Sequence, residues 1–228
     1  MFSVTRECRE AAGLSTEEAN RLAVRCQSPR GIRLFENGAL ELASRAHPVT
    51  PLVWFVPLLG WGLLRAVPQL GWRAAAIPFA GGWLMFSLFE YLSHRWLFHG
   101  LLLGNPGPRR KLWAFLLHGY HHRFPDDPLR LVMPPLLSWP VAALLAVVDE
   151  LVLGPEVGLA ALSGTFAGYL ALFATHYSWH HVKLKRGPLG WLRRHHLRHH
   201  HRSSRTNFGV TSPVWDALFD TLPRIEEG

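Results

Sequence analysis

The chain has 228 residues, enough for one domain and hardly for two. A charged fraction of 18% lies below the roughly 25% of soluble domains, and 49% hydrophobic residues with ten Trp and thirteen Phe exclude disorder and argue against a water-soluble globule. The 24 Lys and Arg against 16 Asp and Glu, net +8, suit anionic lipid headgroups as well as nucleic acid. Two cysteines, Cys8 and Cys26, are too few for a disulfide framework or a thiolate metal cage, so any metal must be held by nitrogen or oxygen.

Residues 1–45 read as one or two amphipathic helices on the cytoplasmic side, with Ser15 and Glu18 as a capping box and Ile32, Leu34, Phe35, Leu40 and Leu42 on a face that would meet lipid. The competing reading is a plain solvated helix. No apolar core of a signal peptide is present in this stretch.

Four charge-free intervals follow, at residues 46–64, 74–89, 131–148 and 157–182, and predict four membrane helices. The second is short, but Arg73 can snorkel at one end and Glu90 can belong to a site at the other. Pro57, Pro78, Pro134 and Pro135 would kink helices, as bilayer helices tolerate. Lys and Arg number seven in residues 1–45, two in the turn 65–73, six in the loop 93–130, none in the turn 149–156 and nine in the tail 178–228. By the positive-inside rule both termini and the central loop are cytoplasmic. The expected fold is therefore all-α and integral to the membrane, four transmembrane helices under a cytoplasmic histidine-rich cap.

Eleven of the 14 histidines form four groups: His94 and His99; His118, His121 and His122; His176, His180 and His181; His196, His199 and His200. His47, His195 and His201 stand apart. Residues three and four apart share a helix face, so the last three groups can each present imidazoles to a common point. His94 and His99 are five apart, about 140° around an ideal helix, and would need a helix end or two different metals to serve together. All four groups fall on the cytoplasmic side, where convergence is easy.

So many neutral imidazoles exceed the capacity of one ion, since zinc takes four ligands and octahedral iron six. Two metals are implied. Imidazole suits Zn, Cu, Fe and Ni alike, and zinc can replace iron in purified protein. Iron is preferred because a metalloenzyme facing acyl chains meets unactivated C–H bonds, whose oxidation needs O2 chemistry. Glu90, Asp126 and Asp127 are nearby carboxylates suited to orienting ring N–H groups.

The stretches "EYLSHRWLFH" from Glu90, "HGYHHRFPDDPLRLVMPP" from His118, "GYLALFATHYSWHH" from Gly168, and "HLRHH" from His196 followed by "FGVTSPVWDALFDT" from Phe208 resemble the fatty acid hydroxylase superfamily of membrane histidine-motif di-iron oxygenases. The similarity is closest to its fatty acid and ceramide 2-hydroxylases and spans about residues 50–222. The resemblance implies that His94, His99, His118, His121, His122, His176, His180, His196, His199 and His200 are ligands, with His181 an eleventh candidate and Glu90, Asp127 and Tyr177 around them. It divides the chain into residues 1–45, a hydroxylase-like membrane domain at 46–222 and a tail at 223–228. Ser203 and Asn207 depart from relatives that carry histidine and glycine there. Only His47 precedes the boxes, so the bis-histidine haem site of a fused cytochrome b5-like domain cannot be built from it. Electrons would come from a separate ferredoxin, cytochrome b5 or reductase.

The expected activity is O2-dependent hydroxylation of an acyl chain at C2 of a free or lipid-linked fatty acid, through two iron ions. Phe98, Trp96, Trp113, Trp179 and Trp215 are candidates for the acyl path. The partners are lipid and an electron-transfer protein, with no nucleic acid. A sterol or carotenoid hydroxylase or a histidine-box desaturase is the enzymatic alternative, and a metal transporter or pH sensor the non-enzymatic one. Arg outnumbers Lys 21 to 3, which points to a bacterial inner membrane, with the endoplasmic reticulum as the eukaryotic counterpart.

Overall fold

The computed structural model describes residues 3–13, 31–103 and 106–223. Ser15, Glu18 and Cys26 lie outside them. Among the described residues the chain is helical, with one isolated antiparallel bridge, Val4 to Phe35, and no strand. Two short helices, α1 (Arg6–Gly13) and α2 (Gly38–Ala43), precede α3 (Thr50–Leu70) and α4 (Trp72–Leu92). A π-helical turn, Ser93–Phe98, and a 3-10 turn, Gly100–Leu102, prolong α4. The central loop holds α5 (Pro108–Ala114), a second π-helical turn at Phe115–Gly119, and α6 (Tyr120–Arg123). Then come α7 (Pro135–Leu153), α8 (Pro155–His181), α9 (Gly187–His201) and α10 (Val214–Leu218).

Four helical stretches, Thr50–Leu70, Trp72–Leu102, Pro135–Leu153 and Pro155–His181, are long and apolar enough to cross a membrane. They outrun the charge-free intervals: α3 includes Arg65, α4 includes Arg73, and α7 includes Asp149 and Glu150. These charges sit in or near the turns at one end of the bundle, where side chains can reach headgroups. The prolines also differ from expectation. Pro57 and Pro78 lie inside helices, as do Pro68 and Pro140. Pro134 instead is the extended residue before α7 and Pro135 its first residue, a position where the missing N–H breaks no intrahelical bond, so this pair starts a helix without kinking one.

Single glycines make both hairpins. Gly71 (φ 76°) closes α3 and opens α4, and Gly154 (φ 79°) does the same between α7 and α8, in a backbone region closed to most side chains. Helix α8 is the centre of the bundle, with α3, α4 and α7 packed on it. Its contact with α4 is made backbone to backbone: a Cβ on Gly82 would lie 1.9 Å from the Ala161 carbonyl oxygen, and one on Gly164 would lie 1.9 Å from that of Phe79. Between α3, α7 and α8, Phe55, Ala142, Leu162 and Phe166 form a buried apolar cluster.

Among the described residues of the N-terminal segment, Ile32 and Leu34 pack on protein and not on lipid. Ile32 and Leu34 are buried with Val4, Cys8 and Ala11 against Phe115, Tyr120 and Phe124 of the central loop, with Phe35 packed beside them; Leu42 alone of the expected five is strongly exposed, at 74%. The central loop supplies the apolar partner that sequence periodicity cannot distinguish from a bilayer. Glu41 fastens the segment. Its carboxylate accepts the backbone N–H groups of Leu34 (2.9 Å) and Phe35 (3.1 Å) and pairs with Arg45 (2.7 Å) and with the buried guanidinium of Arg130. Burial opposes this charge, but the Phe35 N–H, Arg130 and Arg45 outweigh it and hold the carboxyl below its ordinary range.

Candidate metal centre

At the end of the bundle opposite Gly71 and Gly154, ten imidazoles gather into two groups of five. One contains His94, His99, His118, His122 and His199, the other His121, His176, His180, His196 and His200; within each, one ring nitrogen per residue lies within 4.8 Å of all the others. The contacts run Nε2 to Nε2, at 2.9 Å for His94 and His118, 3.0 Å for His118 and His122, 2.9 Å for His99 and His199, 2.9 Å for His121 and His176, and 3.1 Å for His121 and His200.

Local helix geometry decides which ring goes where. The pairs His118/His122, His176/His180 and His196/His200 are four apart, and each pair stays in one group. The intervening His121 and His199, three residues after the first of their box, cross to the opposite group. Reading a box as one site therefore needs correction: two of the boxes are shared between sites. His94 and His99 reach one group because the chain between them is π-helical, with the His99 N–H donating to the His94 carbonyl at 3.2 Å, an i to i+5 bond that stacks residues five apart. His181 belongs to neither group; its ring packs on Tyr177 at 4.4 Å. His47 accepts the Val49 N–H, and His201 is exposed beside His200.

Residues 206–211 orient the rings from behind. His94 Nδ1 donates to the Phe208 carbonyl at 2.6 Å and His199 Nδ1 to the Thr206 carbonyl at 2.8 Å. A carbonyl only accepts, so in the neutral rings the proton is on Nδ1 and the Nε2 lone pair faces the group. Asp216, fully buried, holds this loop: its carboxylate accepts the N–H groups of Phe208 and Gly209 (2.8 Å each), the Thr221 hydroxyl (2.7 Å) and His195 Nε2 (3.2 Å). Burial pushes the Asp216 carboxyl up, but His195, Thr221 and the two backbone donors prevail and hold it below the ordinary carboxylate range. Asn207 sits at φ 60°, a left-handed conformation that asparagine adopts more readily than most side chains.

Burial and mutual repulsion hold His118, His121, His122, His196 and His200 well below the usual imidazole value, and burial brings His199 to about 4. Neutral imidazoles are the ligand-competent form. The donor set fits a cation in each group, because one Nε2–H serves one acceptor, yet His118 Nε2 meets two other Nε2 atoms and so does His121 Nε2. Five nitrogens also exceed the four of tetrahedral zinc and leave one position of an octahedron open.

The three residues expected around the ligands touch no imidazole of either group through a hydrogen bond among the described contacts. Glu90 accepts the Val210 N–H (2.7 Å), the Thr211 N–H (3.1 Å) and the Thr211 hydroxyl (2.6 Å), and so acts on His94 only through the loop. Asp127 accepts the Tyr120 hydroxyl (2.7 Å) and the Leu129 N–H (3.0 Å) and pairs with Arg130. Tyr177 packs on Phe173 and His181. The backbone acceptors at Thr206 and Phe208 carry no side-chain signal in the sequence, and Asp216 lies within the stretch "FGVTSPVWDALFDT" with nothing in its spacing to mark its role.

A cavity of about 580 Å³ runs from His94, His118, His121 and His176 between α3, α4, α7 and α8. Phe98 and Trp113 line it, while Trp96, Trp179 and Trp215 do not. The Trp179 indole donates to the Val210 carbonyl (3.1 Å) and that of Trp215 to Ser87 (3.0 Å), so both brace structure.

Among the described residues, this arrangement defines a helical protein with four membrane-crossing candidates and a paired polyhistidine centre at one end of the bundle. Residues 79–221 match the fatty acid hydroxylase family profile, and the chain belongs to that family. It is 35% identical over 191 residues to the ceramide very long chain fatty acid hydroxylase scs7 of Schizosaccharomyces pombe, covering 82% of this chain and 54% of that protein. With the dihydroceramide fatty acyl 2-hydroxylase FAH2 of Arabidopsis thaliana it shares 34% identity over 202 residues, 86% of this chain and 82% of that one. With the fatty acid 2-hydroxylase of Homo sapiens it shares 33% over 216 residues, 85% and 57%. The chain thus spans about half the length of the fungal and human relatives. The structure of full-length scs7p, in which only the hydroxylase domain is visible, superposes with a TM-score of 0.76 at 32% identity, covering 83% of this chain and 71% of that one.

Proposed function

We propose that the protein is a membrane-bound, O2-dependent oxygenase that hydroxylates an acyl chain at C2 of a free or lipid-linked fatty acid. The observation that carries this reading is the cavity, whose walls are apolar along the bundle and whose end is formed by histidines of both groups, His94 and His118 from one, His121 and His176 from the other. Two iron ions, one per group, would be held by the ten histidines; iron there supplies the O2 chemistry that an unactivated C–H bond requires.

The protein's own residues do the rest. Phe89 of α4 and Leu136, Leu137 and Val141 of α7 line the cavity and are also exposed, so the cavity opens sideways where lipid would lie. A lipid entering there with its polar head at the interface brings its carboxyl-proximal carbons nearest the histidines, which favours C2 over the chain terminus. Phe98, Leu116 and Leu117 close water out beside His118. The distribution of Lys and Arg supports a cytoplasmic histidine end with both termini on the same side. An acidic electron-transfer protein such as a ferredoxin, a cytochrome b5 or a reductase would supply electrons, and the exposed Arg194 and Arg198 of α9, with Arg202 just after it, give such a donor a basic surface behind the histidines.

The test is mass spectrometry of fatty acids released from cells expressing the protein with a competent donor. The expected product is the 2-hydroxy acid; oxygen in mid-chain or terminal positions, or a double bond alone, would overturn the assignment.

A further inference from the structure

Along the bundle, the cavity that begins at the histidines is lined by Phe55 of α3, Ala142 and Leu145 of α7, and Thr165 and Phe166 of α8. On the other side of Ala142 and Phe166 lies a second cavity of about 170 Å³, which runs beside α7 from Trp139 to Ala146 and reaches Leu162 and Leu159 of α8 and Leu58 and Trp61 of α3. The two spaces share Ala142 and Phe166 as a common wall. That wall is firm: Phe166 is 6% and Phe55 3% exposed, their ring centroids are 5.1 Å apart, and Phe55 also meets Tyr169 edge-on at 4.9 Å.

We infer that Phe166 and Ala142 set the acyl length the protein accepts, an inference that rests on the hydroxylase reading and adds its specificity-determining residues. Phe166 and His176 lie on the same helix ten residues apart, about 15 Å at 1.5 Å per residue. With C–C bonds of about 1.5 Å in a zigzag, that distance holds roughly a dozen carbons of a straight chain. Interiors are close-packed, so a longer tail pressed against Phe166 finds no room unless the ring is removed. Beyond it, Leu162 and Leu159 mark one and two further turns of α8, about 5–10 Å, and so space for roughly four to eight more carbons. Ala142 faces the same boundary from α7, where a larger side chain would take up space in the first cavity beside Phe166.

Phe166→Ala and Ala142→Leu therefore act in opposite directions. Each variant and the natural protein are given an equimolar ladder of saturated free fatty acids, and two quantities are read by mass spectrometry: the lengths hydroxylated in cells supplied with an electron donor, and the lengths retained by the purified protein after gel filtration. The expectation is a shift of the preferred length upward by roughly four to eight carbons for Phe166→Ala, and downward for Ala142→Leu. Ala142→Leu adds bulk beside existing space, so it remains informative if Phe166→Ala fails to fold. Shifted retention without any hydroxylated product would sustain the ruler while overturning the hydroxylase reading. Unchanged lengths in both readouts would show that surplus chain escapes between α4 and α7, and would overturn the ruler alone.

Discussion

His121 and His122 are consecutive, yet their imidazoles serve opposite groups, with ring centroids 6.0 Å apart and planes at 68°. The groups are nonetheless contiguous, since the His122 ring stacks on His200 of the other group at 4.2 Å. Separate donor sets give a specific expectation. His122→Ala and His180→Ala should each lower bound iron from two ions per chain to one, and the double variant should bind none, while all remain membrane-inserted because insertion rests on the apolar helices. Elemental analysis after reconstitution with Fe(II) measures this. Two ions retained in the double variant would exclude these groups as the sites.

The four long helices were readable from the absence of charge, and the histidine boxes from their spacing. The assignment of rings to groups was not. Nothing in "SHRWLF" announces a π-helical turn, because i to i+5 bonding is imposed by packing, and an ideal helix sets His94 and His99 far apart. Ile32 and Leu34 are apolar in either setting; only the tertiary structure shows that Phe115, Tyr120 and Phe124 cover them. Backbone carbonyls at Thr206 and Phe208 have no signature of side-chain type, and only the folded chain shows Asp216 gathering the loop that carries them.

Asp216→Ala should act at a distance. It leaves the Phe208 and Gly209 N–H groups and His195 without their buried acceptor, a loss of about 1.5–3 kcal/mol in stability for a hydrogen bond to a charged group. The loop that orients His94 and His199 is released, so metal affinity should fall roughly 10–100-fold, the usual effect of losing a partner behind the ligands. Competition with a chelator gives the affinity, and thermal unfolding in detergent the stability. Natural values in both measurements would refute the positioning role.

Glu41 predicts how acid affects the N-terminal segment. Its folded carboxyl is held below the unfolded value of about 4.3, so its contribution is complete above that pH and is lost as pH falls through the lower folded value. Residues 31–45 should be protected from proteolysis at neutral pH and become sensitive below about pH 4. Glu41→Gln should give up about 1.5–3 kcal/mol at neutral pH, the worth of hydrogen bonds to a charged group, and show a smaller additional loss in acid. Identical acid profiles for the two proteins would show that Glu41 does not fasten the segment.

Orientation is testable with single cysteines in a Cys26→Ser background, since Cys8 is buried. Gln69→Cys and Glu156→Cys lie by the two glycine hairpins and Ser204→Cys by the histidine end, all at exposed positions. An impermeant thiol reagent should label the first two from the outside of intact cells and the third only after lysis. Labelling of all three from one side would contradict the four-span arrangement.

The contact at Gly82 and Gly164 reaches further than helix packing. The helices it joins end in His94 and His99 on one side and His176 and His180 on the other, one pair for each group. Bilayers differ in thickness, and single helices answer by tilting. Two helices touching through their backbones tilt as one body, so a thicker or thinner bilayer turns both histidine pairs together and leaves the separation of the two groups unchanged.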